Sequence, residues 1–148
     1  MKTKALNEVV LEFPSRSSNE GFARSAAACF AAQMDPTLNE LEDIKTAVSE
    51  AVTNAIVHGY PDAIGIVTVK LRVCQGNVLE LMVRDKGKGI ANVEKARQPM
   101  FTTGGEERSG MGFTIMESFM DQLTVRSVPG RGTTVTMKKK LAPRLKTK

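Results

Sequence analysis

Apolar residues recur at helical spacing in the first half of the chain. The first such segment is rich in alanine and predicts a helix from about Asn19 to Met34, which Asp35-Pro36 ends. Its expected buried stripe consists of Phe22, Ala26, Cys29 and Phe30. A short apolar run, Val9 to Phe13, precedes this helix and predicts a strand that stops at Pro14.

A second helix is predicted to begin after Thr37, because Thr37 and Glu40 have the spacing of a capping box. Gly59 and Pro61 are expected to end it near His58. Its apolar positions recur at helical spacing and are Leu41, Ile44, Val48, Ala51, Val52 and Ala55.

The second half of the chain is typical of hairpin strands. Four strands are predicted, at Ile66 to Cys74, Val78 to Arg84, Leu123 to Val128 and Thr133 to Leu141. An irregular segment from about Arg97 to Ser109 and a third helix from near Gly110 to Phe119 separate the two strand pairs. Helices and strands in separate stretches predict an α+β fold, a two-layer α/β sandwich whose mixed, mostly antiparallel sheet carries the helices on one face.

Composition favours one soluble, cytoplasmic domain. The chain has 148 residues, of which 41% are hydrophobic and 25% charged. The domain is expected over residues 1–141, followed by a basic tail over 142–148. No long apolar segment or leader peptide is recognisable, so no membrane association is expected. Cys29 and Cys74 lack metal-ligand spacing and are predicted to be buried thiols.

The net charge of +5 comes from one end of the sequence. Six basic residues lie between Lys138 and Lys148, and without them the net charge falls to −1. The simplest interpretation is a solvated terminal run. Because aromatic residues make up only 5% of the chain, direct nucleic-acid binding is not expected.

Three motifs carry the candidate chemistry: Glu50-x-x-x-Asn54 on the second helix, Asp85-x-Gly87-x-Gly89 after a strand, and Gly110-Met111-Gly112 before the third helix. Each motif taken alone is common in ordinary surface or turn structure. Neither glycine cluster is a P-loop or a dinucleotide fingerprint. A single histidine, His58, argues against a histidine metal site or a Ser-His-Asp triad.

Taken in order, the motifs resemble the ATP-binding domain of gyrases, heat-shock chaperones, mismatch-repair ATPases and histidine kinases, which is called the GHKL or Bergerat fold. The last element of that family, a Gly-Thr in a late strand, is here Gly132-Thr133-Thr134. The resemblance implies that Asp85 accepts a hydrogen bond from the adenine amino group and that Thr133, or else Thr134, supports it. Gly87 and Gly89 would let the backbone approach the nucleotide.

The same resemblance implies the roles near the phosphates. Asn54 would offer an oxygen to Mg²⁺, and Glu50 would orient or deprotonate the attacking hydroxyl. The backbone of Gly110, Met111 and Gly112 would hold phosphate.

Longer segments are similar to the stand-alone serine kinases that act as bacterial anti-sigma factors, and most of all to the sporulation anti-sigma-F family. These segments are 16–20, 49–60, 96–103 and 108–117. The resemblance implies a homodimer that binds a sporulation sigma factor with ATP and phosphorylates a serine of a STAS-type anti-anti-sigma protein. Glu20 and Arg24 would contact both partners.

The lid departs from this family's pattern. Thr102 and Thr103 are the expected nucleotide-contacting threonines, but Gly104-Gly105-Glu106-Glu107 follows them instead of a lysine and a proline. Arg108 is then the remaining cation to reach the γ-phosphate. Two alternatives stay open: a general-stress anti-sigma kinase with another sigma partner, and a nucleotide-gated binding module without kinase turnover. The presence of Glu50 favours turnover.

Overall fold

The computed structural model describes residues 4–98 and 112–142 of the chain. The strands are β1 (Ala5–Pro14), β2 (Ile66–Cys74), β3 (Val78–Asp85), β4 (Gln122–Val128) and β5 (Gly132–Lys140). The helices are α1 (Asn19–Ala31), α2 (Leu38–Asn54), α3 (Val93–Arg97) and α4 (Phe113–Phe119). A 3-10 turn, Ala32–Met34, extends α1, and a π-helical turn, Ala55–Gly59, extends α2.

The strands form one five-stranded sheet in the order β1-β2-β3-β5-β4, and each neighbouring pair is antiparallel. The predicted α+β fold with a mostly antiparallel sheet is confirmed, and no parallel pair occurs among the described strands. The β2–β3 hairpin turns at Gly76 and Asn77, whose φ angles of 82° and 62° lie in the left-handed region that such turns favour.

The core lies between one face of the sheet and helices α1, α2 and α4. Alternate residues of the central strands point into it, including Val67, Val69, Leu71, Leu79, Leu81 and Val83. On the opposite face Arg72 pairs with Glu8 and Glu80. The sheet therefore buries one face and presents charged side chains on the other.

The predicted start of α2 is confirmed by its capping box. The Thr37 hydroxyl accepts a hydrogen bond from the Glu40 amide at 3.0 Å, and the Glu40 carboxylate accepts one from the Thr37 amide at 2.9 Å. The apolar stripe through Ile44, Val48 and Val52 is fully buried. This fixed start and buried stripe determine which side chains α2 presents at its other end.

The predicted apolar stripe of α1 is wrong in its orientation. Phe30 is buried, but Phe22 is 57% exposed and Cys29 is exposed, so only Cys74 is a buried thiol. The residues that face the core are Ala23, Ala27, Phe30 and Ala31. Alanines occupy five of the 13 positions and lie on several sides of the helix, so spacing alone could not select a face. Close packing against α2 selects a side that consists mostly of alanine.

The predicted strand from Thr133 to Leu141 is confirmed as β5, so the basic run starts inside the sheet with Lys138 to Lys140 and is not solvated throughout. Lys138 pairs with Glu80 at 3.9 Å and Lys139 pairs with Asp43 at 3.4 Å. The short helix α3 was not predicted. Its N-cap is Asn92, whose side chain accepts a hydrogen bond from the Lys95 amide at 3.0 Å.

Candidate nucleotide-binding site

The C-terminal end of α2 and its π-helical extension form one wall of a cavity. Asn54, Ala55, His58 and Gly59 all line it. A π turn adds a residue to a helical turn and is frequent at functional sites. Burial, together with the nearby Lys88 charge, lowers the pKa of His58, so its imidazole is neutral at pH 7.

Asp85, the last residue of β3, forms the polar floor of the same cavity. It is 7% exposed and lies opposite Thr133 in the β3–β5 register. Burial raises the pKa of Asp85, while hydrogen bonds from the Gly87 and Thr133 amides act against this rise. The Gly87 amide donates to Asp85 Oδ1 at 2.9 Å. A buried carboxylate of this kind favours a ligand that brings its own hydrogen-bond donor.

Apolar side chains surround these polar groups. Besides the residues already named, the cavity is lined by Ala51, Val83, Gly89, Ile90, Phe113 and Val135. Of the residues predicted from the motifs, the structure places Asn54, Asp85, Gly89 and Thr133 here. Thr134 lies in the next register position, opposite Arg84, and therefore on the other face of the sheet.

Several residues of the site carry no recognisable signal in the sequence. Ile90 and Phe113 look like ordinary core residues in a sequence. Ser127 was missed as well: its hydroxyl lies 2.8 Å from that of Thr133 and accepts a hydrogen bond from the Ile90 amide at 2.7 Å. The alternation of β4 alone did not single out Ser127; the register of the β4–β5 hairpin places it opposite Thr133.

Gly59 is a further missed residue, and it explains one glycine of the second motif. A side chain at Gly87 would overlap the Gly59 carbonyl, and a Cβ at Gly59 would lie 2.8 Å from the Asp85 carboxyl carbon. The Gly59 carbonyl also accepts a hydrogen bond from the Lys88 amide at 3.0 Å. Glycine at both positions thus lets the π turn pack directly on the Asp85 loop.

Glu50 lies one turn before Asn54 but faces a neighbouring groove, which Arg24 and Ser49 also line. A side chain at Gly112 would overlap the Glu50 carboxylate, so the start of α4 lies against Glu50. Burial raises the pKa of Glu50, and the nearby Glu20 charge raises it further. Glu50 and Asn54 therefore stand between the cavity and the groove.

Glu20 and Arg24 pair on the surface of α1 at 3.2 Å. The Ser49 hydroxyl donates a 2.5 Å hydrogen bond to Glu20, which ties this pair to α2. The predicted partner-contact residues are thus adjacent to the groove that contains Glu50. The remaining predicted site residues lie outside the described part of the chain: Thr102, Thr103, Arg108, Gly110 and Met111.

The donor set near Asn54 fits a phosphate-bound magnesium ion. No group of three or more histidine, cysteine or acidic side chains within residues 4–98 and 112–142 could hold a metal by itself. Mg²⁺ needs no such cage, because it keeps several waters and takes phosphate oxygens beside one or two protein oxygens. None of the described helices combines the length and apolar character needed to cross a membrane.

Residues 13–139 match the model of the histidine kinase-like ATPase domain family. A curated relative, the anti-sigma F factor of Thermoanaerobacter sp. strain X514, is 58% identical over 134 residues, which cover 90% of this chain and 93% of that protein. The chain belongs to the anti-sigma F factor family of histidine kinase-like ATPase domains. The family's Geobacillus stearothermophilus protein is also 58% identical, over 90% of this chain and 92% of its own length.

Solved structures share the fold at lower identity. The RsbU and RsbW domains of a Mycobacterium tuberculosis protein match with a TM-score of 0.67 and 18% identity over 91% of this chain and 32% of that structure. This chain thus spans about a third of that structure. A blue-light-activated histidine kinase domain from Erythrobacter litoralis matches with a TM-score of 0.58, at 22% identity over 95% of this chain and 66% of that one. These likenesses concern the fold alone.

Proposed function

We propose that this anti-sigma factor binds a sporulation sigma factor and, with Mg-ATP, phosphorylates a serine of a STAS-type anti-anti-sigma protein. One observation carries the proposal. Asp85, Thr133 and Asn54 meet in one cavity, and Glu50 stands at its border with a groove beside the α1 surface. Family membership supports both the nucleotide and the sigma partner. The cytoplasmic location and the lack of direct nucleic-acid contact stay predictions.

The nucleotide would enter with its adenine on Asp85. The adenine amino group would donate to the Asp85 carboxylate, while Ile90 and Phe113 would cover the ring. The Asn54 amide oxygen would hold Mg²⁺, which when bound neutralises phosphate charge. The phosphates would then lie beside Glu50 and Gly112, where the lid residues Thr102, Thr103 and Arg108 and the Gly110-Met111 backbone are proposed to complete the site.

Glu50 is the proposed general base. Its carboxylate would take the proton of the acceptor serine as the serine oxygen forms a bond to the γ-phosphorus and the bond to the ADP oxygen breaks. Burial raises the pKa of Glu50 and makes it a better proton acceptor than an exposed glutamate. Positioning carries much of phosphoryl transfer, so the groove must also align the serine.

The α1 surface is the proposed partner contact. Arg24 is 41% exposed at its side chain, and Phe22 and Cys29 on the same helix are exposed as well. Exposed aromatic rings and exposed arginines are both frequent at protein interfaces. Both partners would compete for this surface.

Glu50→Gln should separate transfer from binding. Glutamine keeps the volume but cannot take a proton, so phosphorylation of the anti-anti-sigma protein should fall by about 10²–10⁴-fold. ATP affinity and ATP-dependent sigma capture should change little. Phosphate transfer from labelled ATP is measured, together with sigma binding in the presence of ATP and of ADP. Near-normal transfer would remove Glu50 as the base.

If the parent chain instead transfers no phosphate and still captures sigma only in ATP, that result would favour the nucleotide-gated binding module. Capture of a general-stress sigma factor in preference to a sporulation one would favour the other alternative. A panel of both sigma classes in the same assay decides between them.

Asn54→Ala tests the proposed metal contact. Loss of its amide oxygen should abolish measurable Mg-ATP binding in calorimetry. The matched control is the exposed Thr53→Ala on the adjacent position of α2, which should bind as the parent does. Unchanged affinity of Asn54→Ala in Mg²⁺ would exclude Asn54 as a ligand.

A further inference from the structure

Glu20 lies where the α1 surface meets the turn of α2 that carries Glu50. Its oxygen Oε2 accepts the Ser49 hydroxyl at 2.5 Å and lies 3.2 Å from Nη1 of Arg24. A single carboxylate oxygen therefore holds one side chain from α2 and one from α1. Ser49 immediately precedes Glu50, and Arg24, Ser49 and Glu50 line the same groove.

The charges on the elements around Glu50 identify Glu20 as its electrostatic neighbour. After burial, the Glu20 charge is the cause that raises the pKa of Glu50. The other charged groups that line its groove are Arg24 on α1 and Glu42 and Lys45 on α2. Titratable groups on the neighbouring elements are Glu117 on α4, Asp85 on β3 and His58 in the π turn. Glu42 pairs with Lys45, Glu117 pairs with Arg97, and Asp85 and His58 face the nucleotide cavity.

Arg24 is the movable member of the cluster. Its side chain is 41% exposed, whereas that of Glu20 is 21% exposed. An ion pair this close to solvent contributes little to stability, so an incoming carboxylate can take the guanidinium at small cost. Glu20 would keep the Ser49 hydrogen bond and stay in place.

We propose that Glu20 is a positioning residue that links partner binding on α1 to the proton affinity of Glu50. A partner carboxylate that pairs with Arg24 draws the guanidinium away and leaves the Glu20 charge facing Glu50 without its counter-ion. Glu50 then takes the serine proton more readily, so docking itself promotes transfer. The proposal rests on the proposed function, in which Glu50 is the base.

The test follows the carboxyl carbon of Glu50 by ¹³C NMR through a pH titration of the chain without nucleotide or magnesium; Glu50→Gln identifies the signal. Glu20→Gln keeps an acceptor for Ser49 but removes the charge, so the Glu50 midpoint should move to lower pH. Arg24→Gln leaves the Glu20 charge unpaired, so the midpoint should move to higher pH. In the double variant the effect of Arg24→Gln should disappear.

Glu42→Gln is the matched control. It removes a carboxylate from the same groove, but one that lies two helical turns from Glu50 and is paired with Lys45. The Glu50 midpoint should stay at the parent value. If Glu20 had a purely structural role, both single variants would shift the titration midpoint of Glu50 in the same direction. That result would overturn the proposal. The proposal would also be overturned if Arg24→Gln shifted the Glu50 midpoint equally in the parent and in the Glu20→Gln variant.

The kinetic arm uses an anti-anti-sigma protein as the probe. At saturating probe, Glu20→Gln should lower kcat by about two- to five-fold with unchanged ATP affinity, because a weaker base slows proton transfer. Addition of the probe to the nucleotide-free parent should move the Glu50 midpoint upward, as Arg24→Gln does. A parent that transfers no phosphate would defeat the proposed function, while the titration would still decide the electrostatic link.

Discussion

At the scale of single residues, Asp85 illustrates a conflict between binding and stability. Its carboxylate is held at 7% exposure, and burial raises its pKa above the ordinary value of 3.8. A raised pKa means that the fold favours the protonated form, so stability is lost as the pH rises through that pKa. At pH 7 the fold thus carries the cost of a buried charge that a bound adenine would relieve.

Asp85→Asn should therefore weaken adenine binding while it raises the Tm of the nucleotide-free chain at pH 7. Asparagine can still accept from the Gly87 amide but carries no charge. Thermal unfolding at pH 7 and below pH 3.8 measures the change in Tm, and the gain should vanish in acid. Calorimetry with ATP and GTP measures the change in adenine binding. The exposed Asp62→Asn should change neither quantity. If the variant still prefers ATP over GTP as strongly as the parent does, Asp85 is not the residue that recognises adenine.

At the scale of elements, the junction of the π turn with the β3 loop shapes the cavity. Gly59 approaches both the Asp85 carboxylate and Gly87 so closely that a Cβ on either glycine would collide. The turn holds Asn54 and His58 on the cavity side. The helix, its π extension and the loop therefore act as one unit.

Gly59→Ala should displace Asp85 or the π turn and lower ATP affinity by at least ten-fold. Gly21→Ala is the matched control: its Cβ would meet only the Arg24 side chain at 3.6 Å, and alanine there favours the helix. Calorimetry with Mg-ATP, with circular dichroism to check folding, measures the difference. Parental affinity in a folded Gly59→Ala would show that the cavity tolerates a side chain at this junction.

At the scale of the whole molecule, the sheet has helices on one face and a charged network on the other. We expect a homodimer from the family resemblance, and such a dimer would present two α1 surfaces. Light scattering should give twice the chain mass of 16.1 kDa at micromolar concentration. A monomer that still captures sigma in ATP would show that dimerisation is dispensable for the proposed capture.

The sequence by itself determined the sheet, the capped start of α2 and the order of the motifs. The period of 2 in the strands, the period of 3.6 in α2 and the Thr37–Glu40 box are local signals, and each was confirmed. The orientation of α1 was not determined, because alanines on several sides leave no unique stripe. Only packing against α2 exposes Phe22 and buries Ala23.

The tertiary structure alone decided which residues meet around Asp85 and Glu50. The β3–β5 register brings Thr133 rather than Thr134 to Asp85, and the π turn brings Gly59 against Gly87. Ser49 reaches Glu20 only because α1 lies on α2. Contacts of this kind join residues far apart in the chain, and local periodicity contains no information about them. The sequence indicated which residue types take part in the chemistry. Only the packing of the elements determined their geometry.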